Sequence, residues 1–483
     1  MLLDETIWRG NFFLDGWRAG SSLADVTDKA AGTAISQIGV AIPDDVADAA
    51  ESARDAQPGW YAIPAQERAR ILRKAASLVE EHTNEITPWL IRETGSIRPK
   101  VDFELKMAAG ILNNSANMLS ESQTLTLPSA PGCTSVARRL PRGVIGVIAP
   151  FNVPLVLAMR AVAPALAVGN AVVLKPAIET AVVGGILIAR LFELAGLPAS
   201  LLHVLPGGVD VGEAICTDPN IAMVAFTGST KAGRRVGELC GKNLKHVSLE
   251  LGGKNSMIVL DDADLDLAAS NAAFGSWLHQ GQVCMATGRI LATRKVAEGL
   301  LDRLTEKAQH LPIGDPAKGP VALGPLISER QVNSVHAIVT DTVSSGANLR
   351  AGGTHKGLFY HPTVLGEVTP AMRGFREEIF GPVACVTTVA DDEDAVRLAN
   401  QTEYGLSASI ISGSVPRAME LGKRLNVGLL HINDHNIQDE PQVPFGGRGA
   451  SGNGTSIGGP ANWEEFTQWQ WVTSKNVPPK YPF

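Results

Sequence analysis

The segment VIGVIAPFNVPLVLAMRAVAPALAVGNAVVLKP (Val144–Pro176) contains two apolar runs, Val144–Ile148 and Ala171–Leu174, on either side of a helical stretch. Further apolar runs follow at Leu201–Leu205, Met223–Phe226, Val247–Leu249 and Met257–Leu260. Helical stretches lie between most of these runs, near residues 155–168, 180–195 and 229–241. Continuous apolar strands separated by helices are typical of a parallel sheet covered on both faces. Because such sheets bind ligands at the carboxyl ends of their strands, residues 144–260 predict an α/β nucleotide-binding fold.

The flanking segments extend this α/β organisation. Apolar residues recur at helical spacing from Pro43 and again from Pro64. A second α/β region beyond residue 253 has helical stretches near 262–279, 296–310 and 327–346. Segment 120–141 contains Ser, Pro and Gly and predicts a hairpin or arm. At roughly 150 residues per domain, a chain of 483 residues predicts about three units.

Composition and charge exclude several classes of protein. The chain is 45% hydrophobic and 19% charged, with a formal net charge of -7. Without a basic surplus to meet phosphates, no nucleic-acid partner is expected. The most apolar stretch, Val153–Leu174, is interrupted by Arg160, Pro164 and Asn170. It falls short of the ~18 uninterrupted apolar residues of a membrane span, so no membrane partner is expected either.

The cysteine pattern and the chain start both favour a cytoplasmic location. The cysteines are odd in number and lack CxxC spacing, at Cys133, Cys216, Cys240, Cys284 and Cys385. This pattern predicts neither a disulfide framework nor a zinc site. The opening MLLDETIWRG has acidic residues where a signal peptide requires basic ones.

Two short motifs contain candidate reactive groups. In GQVCMATGR (Gly281–Arg289), Cys284 is flanked by glycines that allow a ligand to approach closely. It is a candidate nucleophile, with a buried structural thiol as the alternative. In SLELGGKN (Ser248–Asn255), Glu250 ends a strand-like run just before a Gly-Gly turn. A carboxylate there is costly unless it is paired or functional, so a structural ion pair is the alternative to a role in chemistry.

Two further motifs follow predicted strands. In APFNVP (Ala149–Pro154), Asn152 lies between prolines that stiffen its turn. A rigid amide donor suits an oxyanion, although such an Asn also serves as an ordinary turn residue. In FTGSTKAG (Phe226–Gly233), a strand leads to Gly228, Ser229 and a helix N-terminus. Unpaired backbone N–H groups at that point suit a pyrophosphate.

Other patterns carry no function in this sequence. Gly447-x-Gly449-x-x-Gly452 follows no clear strand and opens no helix, so it does not predict a dinucleotide site. His431 and His435 lie in a predicted strand and turn and lack the glutamate of an HExxH motif, so no metal site is expected. The absence of a GxxxxGK[ST] string excludes a P-loop.

Taken together and in this order, the four motifs resemble those of the aldehyde dehydrogenase superfamily over essentially the whole chain. Within it, the chain is most similar to bacterial benzaldehyde and vanillin dehydrogenases. That narrower resemblance is carried by LHQGQVCMA (278–286), LHVLPGG (202–208), VHAIV (335–339), HIND (431–434) and YPF (481–483). The resemblance implies a Rossmann-like parallel-sheet cofactor domain, an α/β catalytic domain and a small β oligomerisation arm. The implied bounds are 1–121 and 142–252 for the cofactor domain, 253–449 for the catalytic domain, 122–141 and 464–483 for the arm, and 450–463 for a return to the cofactor domain.

The resemblance also implies NAD(P)-dependent oxidation of an aldehyde through a thiohemiacetal and a thioester. Cys284 matches the nucleophile, Glu250 the general base and Asn152 the amide that stabilises the oxyanion together with the Cys284 N–H. The matched cofactor residues are Lys175 at the adenosine ribose, Ser229 at the pyrophosphate and Glu378 and Phe380 at the nicotinamide ribose and ring, together with Gly208, Phe226, Gly228, Gly233 and Leu251.

Two positions depart from the family pattern. Phe151 stands where the family commonly has Trp before the oxyanion Asn. Ile178 stands where NAD-preferring members often have the Glu that binds the ribose hydroxyls, and Glu179 follows one place later, where a strand or loop would aim it differently. Without a carboxylate at that point nothing repels a 2′-phosphate, so NAD and NADP both stay open as cofactors.

The residues that flank the catalytic positions predict an apolar pocket for a small-molecule aldehyde. They are Val153, Leu157, Leu278, Val283 and Met285, and none can bind a substrate carboxylate. Arg160 is the closest cation in sequence. An aromatic aldehyde is the predicted substrate; the alternatives are an aliphatic aldehyde or semialdehyde dehydrogenase, a coenzyme A-acylating enzyme and a non-catalytic NAD-binding protein. A homodimer or homotetramer is expected.

The mechanism requires two shifted pKa values. An ordinary thiol, with a pKa near ~8.5, is mostly protonated at neutral pH. We expect helix N-termini and the positive nicotinamide to lower the pKa of Cys284. Burial is expected to raise the pKa of Glu250 toward ~6–7, which suits a general base.

Overall fold

The computed structural model describes residues 1–121 and 123–483; Ser122, the first residue of the predicted arm, lies outside the described residues. The helices are α1 (Glu5–Trp8), α2 (Pro43–Ala62), α3 (Ala65–Glu81), α4 (Thr83–Thr94), α5 (Arg98–Asn117), α6 (Pro154–Ala167), α7 (Leu187–Ala195), α8 (Val209–Thr217), α9 (Thr230–Lys242), α10 (Leu265–Trp277), α11 (Arg294–His310), α12 (Glu329–Ser344), α13 (Arg373–Arg376), α14 (Asp392–Ala399), α15 (Val415–Gly422) and α16 (Ala461–Phe466). Single 3₁₀ or π turns occur at Met118–Ser120, Ile178–Thr180, Val182–Ile186 and Leu278–Gly281.

The strands fall into two large sheets and several small ones. They are β1 (Asn11–Phe13), β2 (Trp17–Ala19), β3 (Ser22–Thr27), β4 (Ala34–Val40), β5 (Leu125–Thr126), β6 (Cys133–Pro141), β7 (Val144–Ile148), β8 (Ala171–Lys175), β9 (Leu202–Val204), β10 (Ile221–Thr227), β11 (His246–Glu250), β12 (Asn255–Val259), β13 (Thr287–Thr293), β14 (Asn348–Ala351), β15 (His355–Lys356), β16 (Phe359–Tyr360), β17 (Thr363–Gly366), β18 (Val383–Val389), β19 (Tyr404–Gly405), β20 (Ser407–Ile411), β21 (Leu429–Ile432), β22 (Arg448–Gly449) and β23 (Thr467–Lys475).

The first large sheet has the order β11-β10-β7-β8-β9-β1-β2 among the described residues. Strands β7 to β11 pair in parallel, and the β1–β2 hairpin closes one edge in antiparallel pairing. These parallel strands are the first five predicted apolar runs, buried because helices cover both faces. A Cβ at Gly146 of β7 would lie 2.4 Å from Cγ2 of Ile215, so α8 packs directly on the strand. The predicted α/β class is therefore confirmed.

The second large sheet has the order β14-β17-β18-β13-β12-β20-β21 among the described residues, with β14 antiparallel and the remaining pairs parallel. The predicted run Met257–Leu260 belongs to this sheet as β12. Residues 251–254 therefore connect the end of one sheet to the start of the other. Glu250 lies at this junction, and Cys284 lies before β13, so the junction brings the two motifs together.

A smaller sheet joins the two halves of the predicted arm. Along its length β23 pairs with β6, which also pairs with β5, among the residues that the structure describes. Trp469 and Trp471 on β23 are 45% and 70% exposed. The domain division and the role of the arm remain predictions. Within residues 1–121 and 123–483, no helix combines the length and apolarity needed to cross a membrane.

Candidate active site

A cavity of about 690 Å³ opens at the carboxyl ends of β7, β8, β10 and β11, where the two large sheets meet. Most of the predicted site residues line it. They are Asn152, Leu157, Lys175, Gly208, Phe226, Gly228, Ser229, Glu250, Leu251, Cys284, Glu378 and Phe380. The three predicted catalytic groups therefore share one cavity although 132 positions separate the first from the last in sequence.

The loop that carries Cys284 has an unusual backbone. His279, Gln280 and Gly281 all have positive φ values of 50°, 56° and 69°. A Cβ at Gly281 would lie 2.1 Å from the carbonyl oxygen of Gly381, so only glycine fits there. The side-chain amide of Asn255 donates to the Cys284 carbonyl oxygen at 2.9 Å and fixes the loop on its other side.

The thiol of Cys284 has a pKa raised to about 12. Burial is the largest cause, followed by the charges of Glu378, Glu250 and Asp439; the N–H of Met285 acts weakly in the opposite direction. In the chain alone, burial and the carboxylates outweigh the lowering of this pKa expected from helix N-termini; the part of the lowering expected from the nicotinamide stays a prediction. Segments distant in sequence place carboxylates around the sulfur, and these destabilise the thiolate.

Glu250 ends β11 with its carboxyl buried. Within the described residues, neither carboxylate oxygen has a hydrogen-bond partner. Burial raises the pKa of Glu250 well above its ordinary value, Glu465 and Asp439 raise it further, and Arg160 opposes them. The direction is the one expected from the sequence, and an unpartnered carboxyl is free to bind water.

Asn152 presents its side-chain amide to the cavity from the turn between Pro150 and Pro154. Its Nδ2 donates to the carbonyl oxygen of Gln282 at 2.9 Å. An amide nitrogen carries two hydrogens, so one hydrogen is left for a ligand. The backbone N–H of Cys284 donates to no group among the described residues. These two donors are available for an oxyanion.

A smaller cavity of about 20 Å³ lies behind the main one, lined by Cys284, Glu250, Leu157, Arg160 and Phe445 among others. That volume holds about one water molecule. Nη2 of Arg160 forms an ion pair with Asp439, and its guanidinium lies 4.9 Å from the centre of the Phe445 ring. Nε and Nη1 of Arg160 have no partner in the described part of the chain. Sequence reasoning missed Asp439 and Phe445 because each lies more than 270 positions from the arginine.

Of the five predicted apolar residues, one lines the cavities, three line neither cavity but pack with Cys284, and one lies elsewhere. Leu157 lines both cavities. Leu278, Val283 and Met285 pack with Cys284 in an apolar cluster that also contains Ile437 and Phe445. Val153 is not brought to the cavity wall. It precedes the first turn of α6 and packs against the core of the first sheet.

The cofactor side of the cavity fits a pyrophosphate. Ser229 caps α9, and its Oγ accepts from the N–H of Ala232. The N–H groups of Ser229, Thr230 and Lys231 donate to nothing among the described residues. Gly233 does not line the cavity. A Cβ at this position would lie 2.3 Å from Cδ2 of Leu251, so glycine lets α9 pack closely against this cavity-lining residue. Free N–H groups at a helix N-terminus are what a phosphate requires.

The ribose and ring positions also carry suitable groups. Lys175 ends β8, and among the described residues its Nζ makes only a long 3.5 Å contact, to the Pro176 carbonyl. The carboxyl of Glu378 accepts from the N–H of Gly253 at 3.1 Å, and burial raises its pKa to about 7. Phe380, at φ 53°, packs edge-on against Phe151 with ring centres 5.9 Å apart.

Glu179 requires a correction. The sequence placed it in a strand or loop that would aim it differently from the ribose-binding Glu of the family, whereas the structure forms a 3₁₀ turn over Ile178–Thr180. Both Ile178 and Glu179 line the cavity, and Glu179 acts electrostatically on Lys175. A carboxylate is therefore present beside Lys175 although the position matched in sequence is apolar.

Comparisons with known proteins agree with this geometry. The aldehyde dehydrogenase family model matches residues 17–472. A vanillin dehydrogenase from Amycolatopsis is 49% identical over 100% of this chain and 99% of its own, and a benzaldehyde dehydrogenase (NAD+) from Pseudomonas putida is 50% identical over 99% of each. The crystal structure of a salicylaldehyde dehydrogenase from Pseudomonas putida, complexed with salicylaldehyde, superposes with a TM-score of 0.94 at 32% identity, covering 98% of this chain and 99% of that one. The predicted family is confirmed, and the chain belongs to the aldehyde dehydrogenase family.

Proposed function

We propose that the protein oxidises aromatic aldehydes to carboxylic acids with a nicotinamide cofactor. The observation that carries the proposal is the shared cavity. Cys284, Glu250 and Asn152 all line it, and apolar side chains pack around Cys284. The printed names of the similar proteins, which are vanillin, benzaldehyde and salicylaldehyde dehydrogenases, support the aromatic substrate.

In this proposal the chain's own residues perform the steps at the substrate carbonyl. The Cys284 thiolate forms a C–S bond to the aldehyde carbon, while Asn152 Nδ2 and the Cys284 N–H hold the resulting oxyanion. The aldehyde carbon then loses a hydride, for which a bound nicotinamide would supply the acceptor and a positive charge, and the adduct becomes a thioester. Glu378 and Phe380 are the residues that would hold the ribose and ring of that cofactor. Glu250 then removes a proton from a water molecule while the oxygen of that water bonds to the thioester carbon. The C–S bond breaks, which releases the carboxylic acid and returns the Cys284 thiolate.

We infer that NAD is preferred over NADP. Glu179 lines the cavity beside Lys175, and a carboxylate at the adenosine ribose repels a 2′-phosphate. The name of the benzaldehyde dehydrogenase relative, which specifies NAD+, is consistent with this preference.

The alternative substrates have less support. A semialdehyde would require a cation for its carboxylate, but the positive charge of Arg160, which lines the inner cavity, is countered by its ion pair with Asp439. A coenzyme A-acylating enzyme has no need of a water-activating base, whereas Glu250 is present with both oxygens unpartnered among the described residues. We also propose that the β5–β6–β23 sheet joins subunits into a homodimer or homotetramer, since its tryptophans are exposed.

A substrate panel tests the proposal. Benzaldehyde, vanillin, hexanal and succinic semialdehyde are each assayed with NAD and with NADP. We expect the two aromatic aldehydes with NAD to give the highest kcat/KM. A clear preference for succinic semialdehyde, or activity that depends on added coenzyme A, would contradict it.

A further inference from the structure

Helix α5 buries an ion pair that does not line the cavity. Lys100 Nζ lies 2.5 Å from Glu104 Oε2, and the two side chains are 3% and 0% exposed. Neither residue is part of either cavity wall described above. Two charges this deep need a compensating set of contacts, because desolvation is costly.

Within the described residues, those contacts go to the turn that holds the oxyanion amide and to the first residues of α6. Lys100 Nζ donates to the backbone carbonyl oxygen of Asn152 at 2.9 Å. The other carboxylate oxygen of Glu104 accepts from the backbone N–H of Leu155 at 2.9 Å. The pair therefore holds the segment from Asn152 to Leu155 at its two ends, although 52 positions separate Lys100 from Asn152.

From this turn the contacts continue to the nucleophile loop. The Asn152 side chain donates to the carbonyl oxygen of Gln282, two residues before Cys284. Gln282 is itself fixed, since its Oε1 accepts from the N–H of Ile327 at 3.0 Å. Helix α5, the amide and the sulfur are thus connected by consecutive hydrogen bonds.

A buried ion pair adds little net stability compared with apolar residues of the same volume. Its value here is geometric, because it fixes the direction of the Asn152 carbonyl and of the Leu155 N–H three residues later. Catalytic groups must be held closely, and a displacement of ~1 Å costs up to about 100-fold in rate.

We propose that Lys100 and Glu104 are positioning residues that act through Asn152 to hold its amide where the oxyanion forms. The inference rests on the proposed function, since it assumes that Asn152 contacts the substrate oxygen.

The main test is the double variant Lys100→Met/Glu104→Gln. The new amide oxygen at position 104 can still accept from the Leu155 N–H, whereas the donor to the Asn152 carbonyl is lost. We expect the single-turnover rate of cofactor reduction to fall by about 10- to 100-fold, with KM for the aldehyde and cofactor affinity nearly unchanged. The matched control is Arg98→Met/Asp102→Gln, which removes an exposed pair on the same helix, 2.7 Å apart, and should leave the rate unchanged.

The decisive comparison places both sets of changes in an Asn152→Ala background. If the pair acts through the amide, Lys100→Met/Glu104→Gln slows the reaction no further once the amide is absent. An equal slowing in both backgrounds, or none in the wild-type background, overturns the inference. If the double variant does not fold, Glu104→Asp replaces it; this change keeps both charges but shortens the carboxylate by one methylene, and about a 10-fold loss, again absent in Asn152→Ala, is expected. Wild-type turnover of aromatic aldehydes tests the proposed function separately.

Discussion

Glu250 has two carboxylate oxygens without a partner among the described residues, next to a space that holds about one water molecule. A carboxamide cannot accept a proton there. In Glu250→Gln we therefore expect a first-turnover burst of reduced cofactor followed by steady turnover about 10²- to 10⁴-fold slower, measured by rapid-mixing absorbance.

Cys284→Ala is the reference for that experiment, because it should show neither burst nor turnover while still binding the cofactor. Unchanged steady turnover in Glu250→Gln would show that another group activates the water.

The charge of Glu378 is the second cause, after burial, of the raised pKa of Cys284. Removing that negative charge stabilises the thiolate, so Glu378→Gln should lower this pKa from about 12. In the protein without cofactor, alkylation of Cys284 by iodoacetamide should then begin at lower pH, as followed by mass spectrometry of the labelled peptide.

Glu377→Gln provides a neighbouring control, since Glu377 pairs with Arg373 and is 45% exposed. If the alkylation profile of Glu378→Gln matched that of wild type, the charge of Glu378 would not govern the pKa of the Cys284 thiol.

Sequence motifs predicted the positions of Asn152, Glu250 and Cys284 because each follows a recognisable strand or helix. They did not predict the electrostatics of the site. Asp439 raises the pKa of both Cys284 and Glu250, yet it comes from a loop near the chain end with no local signal of its own. Partners that meet only through tertiary packing cannot be derived from spacing along the chain.

At the scale of elements, the 3₁₀ turn over Ile178–Thr180 decides which side chains reach the cofactor cavity. Glu179→Gln removes the carboxylate while keeping the shape. We expect the ratio of kcat/KM for NADP to that for NAD to rise about tenfold, corresponding to ~1.4 kcal/mol.

Glu193→Gln, on α7 and outside the cavity lining, is the control for this change. An unaltered ratio in Glu179→Gln would mean that other groups select the cofactor.

The elements differed in how well their sequences predicted them. Both ends of each of the strands β7 to β11 were predicted to within two residues, because a strand buried on both faces is a continuous apolar run. The helices over Thr83–Asn117 were not predicted. In α5 the charged Lys100 and Glu104 face the core, and they interrupt the apolar stripe from which an amphipathic helix is recognised.

At the scale of the whole molecule, the proposal that the β5–β6–β23 sheet joins subunits can be tested on the exposed face of β23. Trp471 is 70% exposed, and its indole N–H donates to Ser135 Oγ on the paired strand β6. Trp471→Glu places a charge on that face, and we expect sedimentation velocity to show a smaller particle than wild type because a buried unpaired charge destabilises an interface.

Leu267→Glu is the control, because Leu267 on α10 is also an exposed apolar residue, at 62%. This change should leave the particle size unchanged. A wild-type monomer, or a Trp471→Glu particle of wild-type size, would exclude this face as the contact between subunits.

The small cavity between Cys284 and Glu250 has a consequence for what the acyl group becomes. The space of about 20 Å³ suits about one water molecule beside the unpartnered carboxyl, whereas an alcohol would have to approach the acyl group through the cavity of about 690 Å³ that the same two residues line. In mixed aqueous alcohol the product should thus be mainly the free acid, with little ester.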